Sequence, residues 1–185
     1  MKQFLAGKAL IAKEFPKKER CKWKTPDFRV FSKDIFVFFC EVKTINRDSV
    51  MGLRNDPTFN RLTDDIHTAV KQFDAVNPKV EAPNVLAFVN HDQDCDFLDL
   101  NSVLTGNFIG ENGRPDPIYK QFSEGRIKDE KTRIHLYIWL DGFKPESQCL
   151  LFNQAQAEFR KQLCAWFEQD PNSIKQIGNF AGHNN

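Results

Sequence analysis

The chain has 185 residues, 41% of them apolar and 28% charged, with 26 Lys/Arg against 25 Asp/Glu for a net charge of +1. These are the proportions of an ordinary globular protein, and they exclude a disordered polymer or a fibrous repeat. The balanced total gives no reason to expect a polyanion or a membrane as partner. The longest apolar run, residues 35–40, falls far short of the roughly 20 residues needed to cross a bilayer.

Residues 3–15 read as an amphipathic helix stopped by Pro16, with Lys8 and Lys13 breaking any signal-peptide core. Residues 28–31 form a short apolar-rich run, Ser32-Lys33-Asp34 is turn-like, and 35–45 (IFVFFCEVKTI) is the strongest strand signal in the chain. The two runs predict a hairpin. The second is apolar on both faces for six residues, as a central, doubly covered strand would be.

Beyond a loop, Leu62, Ile66, Ala69, Val70, Phe73 and Val76 recur at helical spacing, with Asp64 and Asp65 read into the first turn and Asn77-Pro78 ending the helix. Residues 84–89 (NVLAFV) are a second buried strand. Residues 90–131 read as an irregular insertion, with a short helix over 97–104 ending at Gly106 and another around 118–122. A third strand over 133–140 and a helix over 154–168 close the pattern. This alternation predicts one α/β domain over 1–185, a mixed central sheet with helices on both faces.

Five cysteines without a C-x-x-C spacing suit free thiols in a reducing cytoplasm better than a disulfide framework. The four histidines form no H-x-x-x-H pair, and the Asp92–Asp96 run lacks the glycine and the final acid of a calcium loop. It reads as a solvated acidic loop.

The neutral total hides an asymmetry. Residues 1–33 carry ten Lys/Arg and three Asp/Glu, a net of +7, and the remainder carries −6. The excess peaks at Lys17, Lys18, Arg20, Lys22, Trp23 and Lys24. Ammonium groups with one indole among them suit a phosphate backbone with a base to stack. The same stretch also reads as a solvated connection after the first helix.

The chemistry-bearing feature is the end of the apolar strand. Glu41 and Lys43 follow six apolar residues without a turn, and residues i and i+2 of a strand share a face. Charges in such a place cost several kcal/mol unless paired or bound to something. Across the hairpin, a turn centred near Lys33 or Asp34 sets Asp27 opposite Phe39 or Glu41, on the Glu41 face in either case. A one-residue slip would put Asp27 on the other face. With the right parity, two carboxylates and a lysine converge. Two close carboxylates call for a cation between them, and Mg²⁺ or Mn²⁺ with phosphate oxygens suits such a place. The other reading of the same residues is a buried Glu–Lys ion pair beside an unrelated surface Asp.

Pro26-Asp27, thirteen residues, then Glu41-Val42-Lys43 closing an apolar strand resembles the signature of the PD-(D/E)XK nuclease superfamily, the restriction-endonuclease-like fold. The resemblance implies a core of helix, three-stranded meander, helix and strand. It implies that Asp27 and Glu41 bind metal through carboxylates, Val42 through its carbonyl, and that Lys43 serves the water nucleophile. It suggests Glu14 from the first helix as an added carboxylate and Lys71 or Gln72 as a polar residue on the following helix. Position 76 is Val, so the Gln-x-x-x-Tyr variant of the family is absent.

The expectation is a metal-dependent nuclease acting on DNA, with RNA second, and a homodimer would suit double-strand cutting. A catalytically silent protein of the same fold, serving as a nucleic-acid-binding or assembly subunit, is the alternative. An unrelated small-molecule enzyme or binding module follows if the register parity fails.

Overall fold

The computed structural model describes residues 1–22, 24–46, 57–109, 114–118, 127, 130–144, 147–153 and 156–174. In chain order the elements are helix α1 (Lys2–Ala6), strand β1 (Ile11–Glu14), helix α2 (Lys17–Lys22), strands β2 (Phe28–Ser32) and β3 (Ile35–Asn46), helix α3 (Pro57–Val76) and strand β4 (Asn84–His91). Then come helix α4 (Phe97–Thr105), strands β5 (Asn107–Ile109) and β6 (Pro115–Pro117), a 3₁₀ turn (Glu130–Arg133), strands β7 (Leu136–Asp141) and β8 (Gln148–Phe152), and helix α5 (Ala157–Trp166). Six strands make one mixed sheet in the order β1-β2-β3-β4-β7-β8, and β5 pairs with β6 apart from it. The pairs β3–β4 and β4–β7 are parallel, and the other pairs of the main sheet are antiparallel. The expected mixed sheet between helices is therefore present.

Strand parity divides the core in two. Phe39, Ile45, Leu86, Phe88, Tyr137 and Trp139 pack with α3 and α4 on one face. Phe38, Cys40, Val85, Ala87, Leu136 and Ile138 pack with α1 and α5 on the other. Val85, Leu86, Ala87 and Phe88 of the central β4 are all fully buried. A fully buried side chain of the larger kind contributes about 1.5–3 kcal/mol, so this strand anchors both layers.

The helix expected over 3–15 is a correction. It ends at Ala6. Ala9 takes a left-handed conformation (φ 55°), and the chain then runs extended as β1, pairing Ile11–Glu14 with Phe31–Phe28. The apolar spacing that suits a helix here also suits a short edge strand, and pairing with β2 decides between them. The basic stretch is itself partly helical, as α2.

The hairpin is present, with Ser32 paired to Ile35 around a two-residue turn at Lys33 (φ 46°) and Asp34 (φ 67°), the positive-φ pair of a type I′ turn. Val30 pairs with Phe38 but Phe31 pairs with Phe36, so Val37 is an extra residue in β3, a β-bulge.

Helix α3 begins at Pro57, so Asp64 and Asp65 lie beyond its first turn rather than in it. Helix α4 is as expected. Asp96 caps it, accepting from Leu98 and Asp99 N–H, and Gly106 ends it at φ 75°, a value that favours glycine. The third strand begins at Leu136 rather than 133, after the 3₁₀ turn, and β8 was not foreseen. The short helix expected around 118–122 falls, apart from Ile118, outside the described residues.

Candidate functional site

The observed register carries the site. Phe28 pairs with Cys40 as the last step of the β2–β3 ladder, which sets Asp27, one residue further out, beside Glu41. Glu41 and Lys43 share the Phe39–Ile45 parity and so face α3. Asp27 donates its backbone N–H to Glu41 Oε2 at 3.0 Å, and its carboxylate Oδ2 accepts from the Val42 N–H at 2.9 Å. Lys43 Nζ donates to Glu41 Oε1 at 2.7 Å and to Gln72 Oε1 of α3 at 3.2 Å. Gln72 in turn donates through Nε2 to the Thr25 carbonyl at 3.0 Å, closing a loop back to the segment that carries Asp27.

The charge is unevenly exposed. Glu41 is 3% exposed while Asp27 is open to solvent. Burial pushes the Glu41 carboxyl above the usual carboxylate range. The Asp27 charge pushes the same way, against the hydrogen bond and charge of Lys43. Deprotonated Glu41 is therefore held at a cost that a nearby cation would reduce.

The donor set fits a hard divalent ion. Val42 N–H points to the β2 side of β3, because it meets Asp27 there. A strand residue's carbonyl points to the same side as its N–H, so the Val42 oxygen also faces the gap where β2 has ended. Among the described residues no three His, Cys, Asp or Glu side chains gather into a metal cluster. A cation here would take Asp27, Glu41 and the Val42 carbonyl, and complete its shell with water or phosphate oxygens, as Mg²⁺ commonly does.

Of the other expected residues, Gln72 joins this group. Lys71 does not, because it is exposed on a neighbouring side of α3. Glu14 is a correction. It sits on a strand, shares parity with Ala12 of the opposite core layer, and is exposed, paired with Lys2 of α1 at 2.9 Å and with Arg20 at 3.5 Å. These two cations hold its carboxyl below the usual range.

The basic stretch borders the site. Arg20, Cys21, Lys22, Lys24, Thr25 and Gln72 line an open cleft of about 370 Å³. Gln72 and Thr25 are thus shared between the cleft and the Lys43 network. Helix α2 is held by Glu19, which accepts from Arg29 of β2 at 2.6 Å. Lys17 and Lys18 are exposed and outside the cleft lining, and Trp23 lies outside the described residues.

The residues missed in the sequence are Thr25 and two on α3, Arg61 and Asp65. Arg61 donates to the Asn46 carbonyl at 2.7 Å and pairs with Asp92 at 3.6 Å. Asp65 is half-buried, and burial raises its carboxyl while Lys43 and Arg61 act to lower it. The available signal was helical spacing, since Arg61, Asp65 and Gln72 fall on one stripe of α3. The acidic loop also differs from expectation at Asp92, which is buried.

No family model, no curated protein and no solved structure matches this chain.

Proposed function

We propose that this protein is a metal-dependent nuclease of the PD-(D/E)XK type, with a restriction-endonuclease-like fold, hydrolysing phosphodiester bonds of DNA and, second to it, RNA. The observation that carries this reading is the meeting of Asp27, Glu41 and Lys43 on one sheet face where β2 ends and β3 continues. The element order supports it: helix α1, strand β1, the short α2, the antiparallel hairpin β2-β3 with β2 also paired to β1, helix α3, and β4 parallel to β3. Apart from α2, this order is like that of the core the resemblance implies.

Asp27, Glu41 and the Val42 carbonyl would hold Mg²⁺ or Mn²⁺, which supplies a water of lowered pKa and neutralises phosphate charge. Lys43 orients the attacking water or stabilises charge developing on phosphorus. Gln72 fixes the Lys43 side chain against α3. The cleft at Arg20, Lys22 and Lys24 receives the backbone phosphates beside the scissile one. Five free thiols suit the cytoplasm as its compartment. Among the described residues no helix is long and apolar enough to cross a membrane.

One observation favours a second reading, a catalytically silent nucleic-acid-binding protein of this fold. Both Glu41 oxygens are engaged, by Lys43 and by the Asp27 N–H, and the side chain is nearly sealed. The test incubates the protein with supercoiled plasmid and with single-stranded DNA in Mg²⁺, in Mn²⁺ and in EDTA, alongside Glu41→Ala and Lys43→Ala. Metal-dependent cleavage lost in both variants supports the nuclease. Binding without cleavage in any metal supports the silent protein, and neither activity rejects both.

A further inference from the structure

Asp65 stands on the stripe of α3 that also carries Arg61 and Gln72. It is a half-buried acid beyond the first turn of α3, so it does not compensate the helix dipole. Among the described residues no hydrogen bond reaches its carboxylate. It lies between Arg61, one turn before it, which reaches the Asn46 end of β3, and Gln72, two turns after it, which reaches Lys43. The helix thus carries Asp65 past the Lys43–Asn46 part of β3, and the cations whose fields reach it are Lys43 and Arg61.

Lys43 has a complementary need. Its side chain is 15% exposed, and among the described residues its one anionic hydrogen-bond partner is Glu41 Oε1 at 2.7 Å. Glu41 Oε2 is already taken by the Asp27 N–H. If Glu41 turns an oxygen toward a divalent ion, the mostly buried Lys43 ammonium loses that partner, and Gln72 offers only a neutral acceptor. A buried charge stripped of its partner is costly.

We propose that Asp65 is a positioning residue for Lys43, the carboxylate that receives its ammonium when Glu41 is drawn to a divalent cation. This inference rests on the nuclease reading of the site. The handover leaves Lys43 fixed by Asp65 and Gln72 and free of Glu41. With Asp65 and Gln72 each taking one of its three N–H donors, the third is directed at water or phosphate.

The test compares the full chain with Asp65→Asn and Asp65→Glu, with EDTA and with Mn²⁺. An amine-directed reagent is used, and modification at Lys43 is quantified by mass spectrometry. In the wild type Lys43 is expected to stay equally protected in both conditions. In Asp65→Asn, Mn²⁺ should speed its modification at least threefold, and Asp65→Glu should restore protection. The cleavage turnover of Asp65→Asn should fall about tenfold with KM unchanged. Equal Mn²⁺ effects on Lys43 in wild type and Asp65→Asn, with metal-dependent cleavage intact, overturn the role of Asp65 and leave the nuclease reading standing. Absence of any Mn²⁺ shift in the wild-type melting temperature overturns both.

Discussion

Asp27 and Glu41 lie on the same side of the sheet because one residue, Val37, is extra in β3. The two-residue turn at Lys33 and Asp34, continued without a bulge, would set Asp27 opposite Cys40, whose side chain faces α1 and α5. The bulge shifts the pairing by one and brings Asp27 to Glu41. Deleting Val37 should therefore cut metal-dependent cleavage at least ~100-fold. Asp34→Gly relaxes a positive-φ position without changing parity. It should leave cleavage unchanged and add about 0.5–1 kcal/mol of stability in urea unfolding. Cleavage surviving the deletion would show that the bulge does not set the site.

The charge of Glu41 is held at the expense of the fold. Its carboxyl is raised by burial first, so the ionised form is held unfavourably even with Lys43 beside it. Replacing the pair together, Glu41→Gln with Lys43→Met, leaves no buried charge without a partner and should raise the urea midpoint at pH 7 without divalent ions, and Glu41→Gln alone should lower cleavage by at least ~100-fold. A lower midpoint would mean that the ion pair with Lys43 outweighs the cost of burial.

The cleft separates basic residues that flank the site from those that do not. Arg20→Ala, Lys22→Ala and Lys24→Ala together should weaken DNA binding and flatten the slope of log K against log salt by about 2–3. Lys17→Ala with Lys18→Ala, outside the cleft lining, should change both less. Fluorescence anisotropy across a salt series measures this, and equal effects from the two sets would dissolve the distinction.

His135 gives the fold a pH dependence far from the site. It is 1% exposed, its Nδ1 accepts from the Asn84 N–H at 2.9 Å, and Nε2 lies 3.0 Å from Gln156 Oε1. Burial lowers its pKa from 6.5 to about 4. Below pH 6.5 the unfolded chain binds a proton that the folded protein refuses. Its contribution is therefore complete above that value and is lost as pH falls toward about 4, by about 3 kcal/mol at the limit. Urea unfolding of wild type and His135→Asn between pH 4 and 7 checks this, and a wild-type slope as flat as the variant's would reject it.

Much of the architecture was legible because it rests on local pattern. Residues 35–45 announced a central strand, 62–76 a helix and 84–89 a buried strand, and each forms. Glu41 and Lys43 on one face follow from strand alternation alone. Strand β1 was not legible, since the four residues Ile11–Glu14 are too few to distinguish an edge strand from a helix end. Strand β8 was missed for the same brevity, and Glu14 was misplaced along with β1.

The amino-acid order by itself determined the sheet's principal strands, the helices that cover it and the charged end of β3, because periodicity and turn chemistry act over a few residues. It did not determine whether Asp27 would join Glu41. Residues 35–40 are apolar on both faces, so their pattern accepts either parity. Only packing against β4 and two helical layers chose the bulged register. Packing of α3 over β3 likewise brought Gln72 to Lys43 from far along the chain.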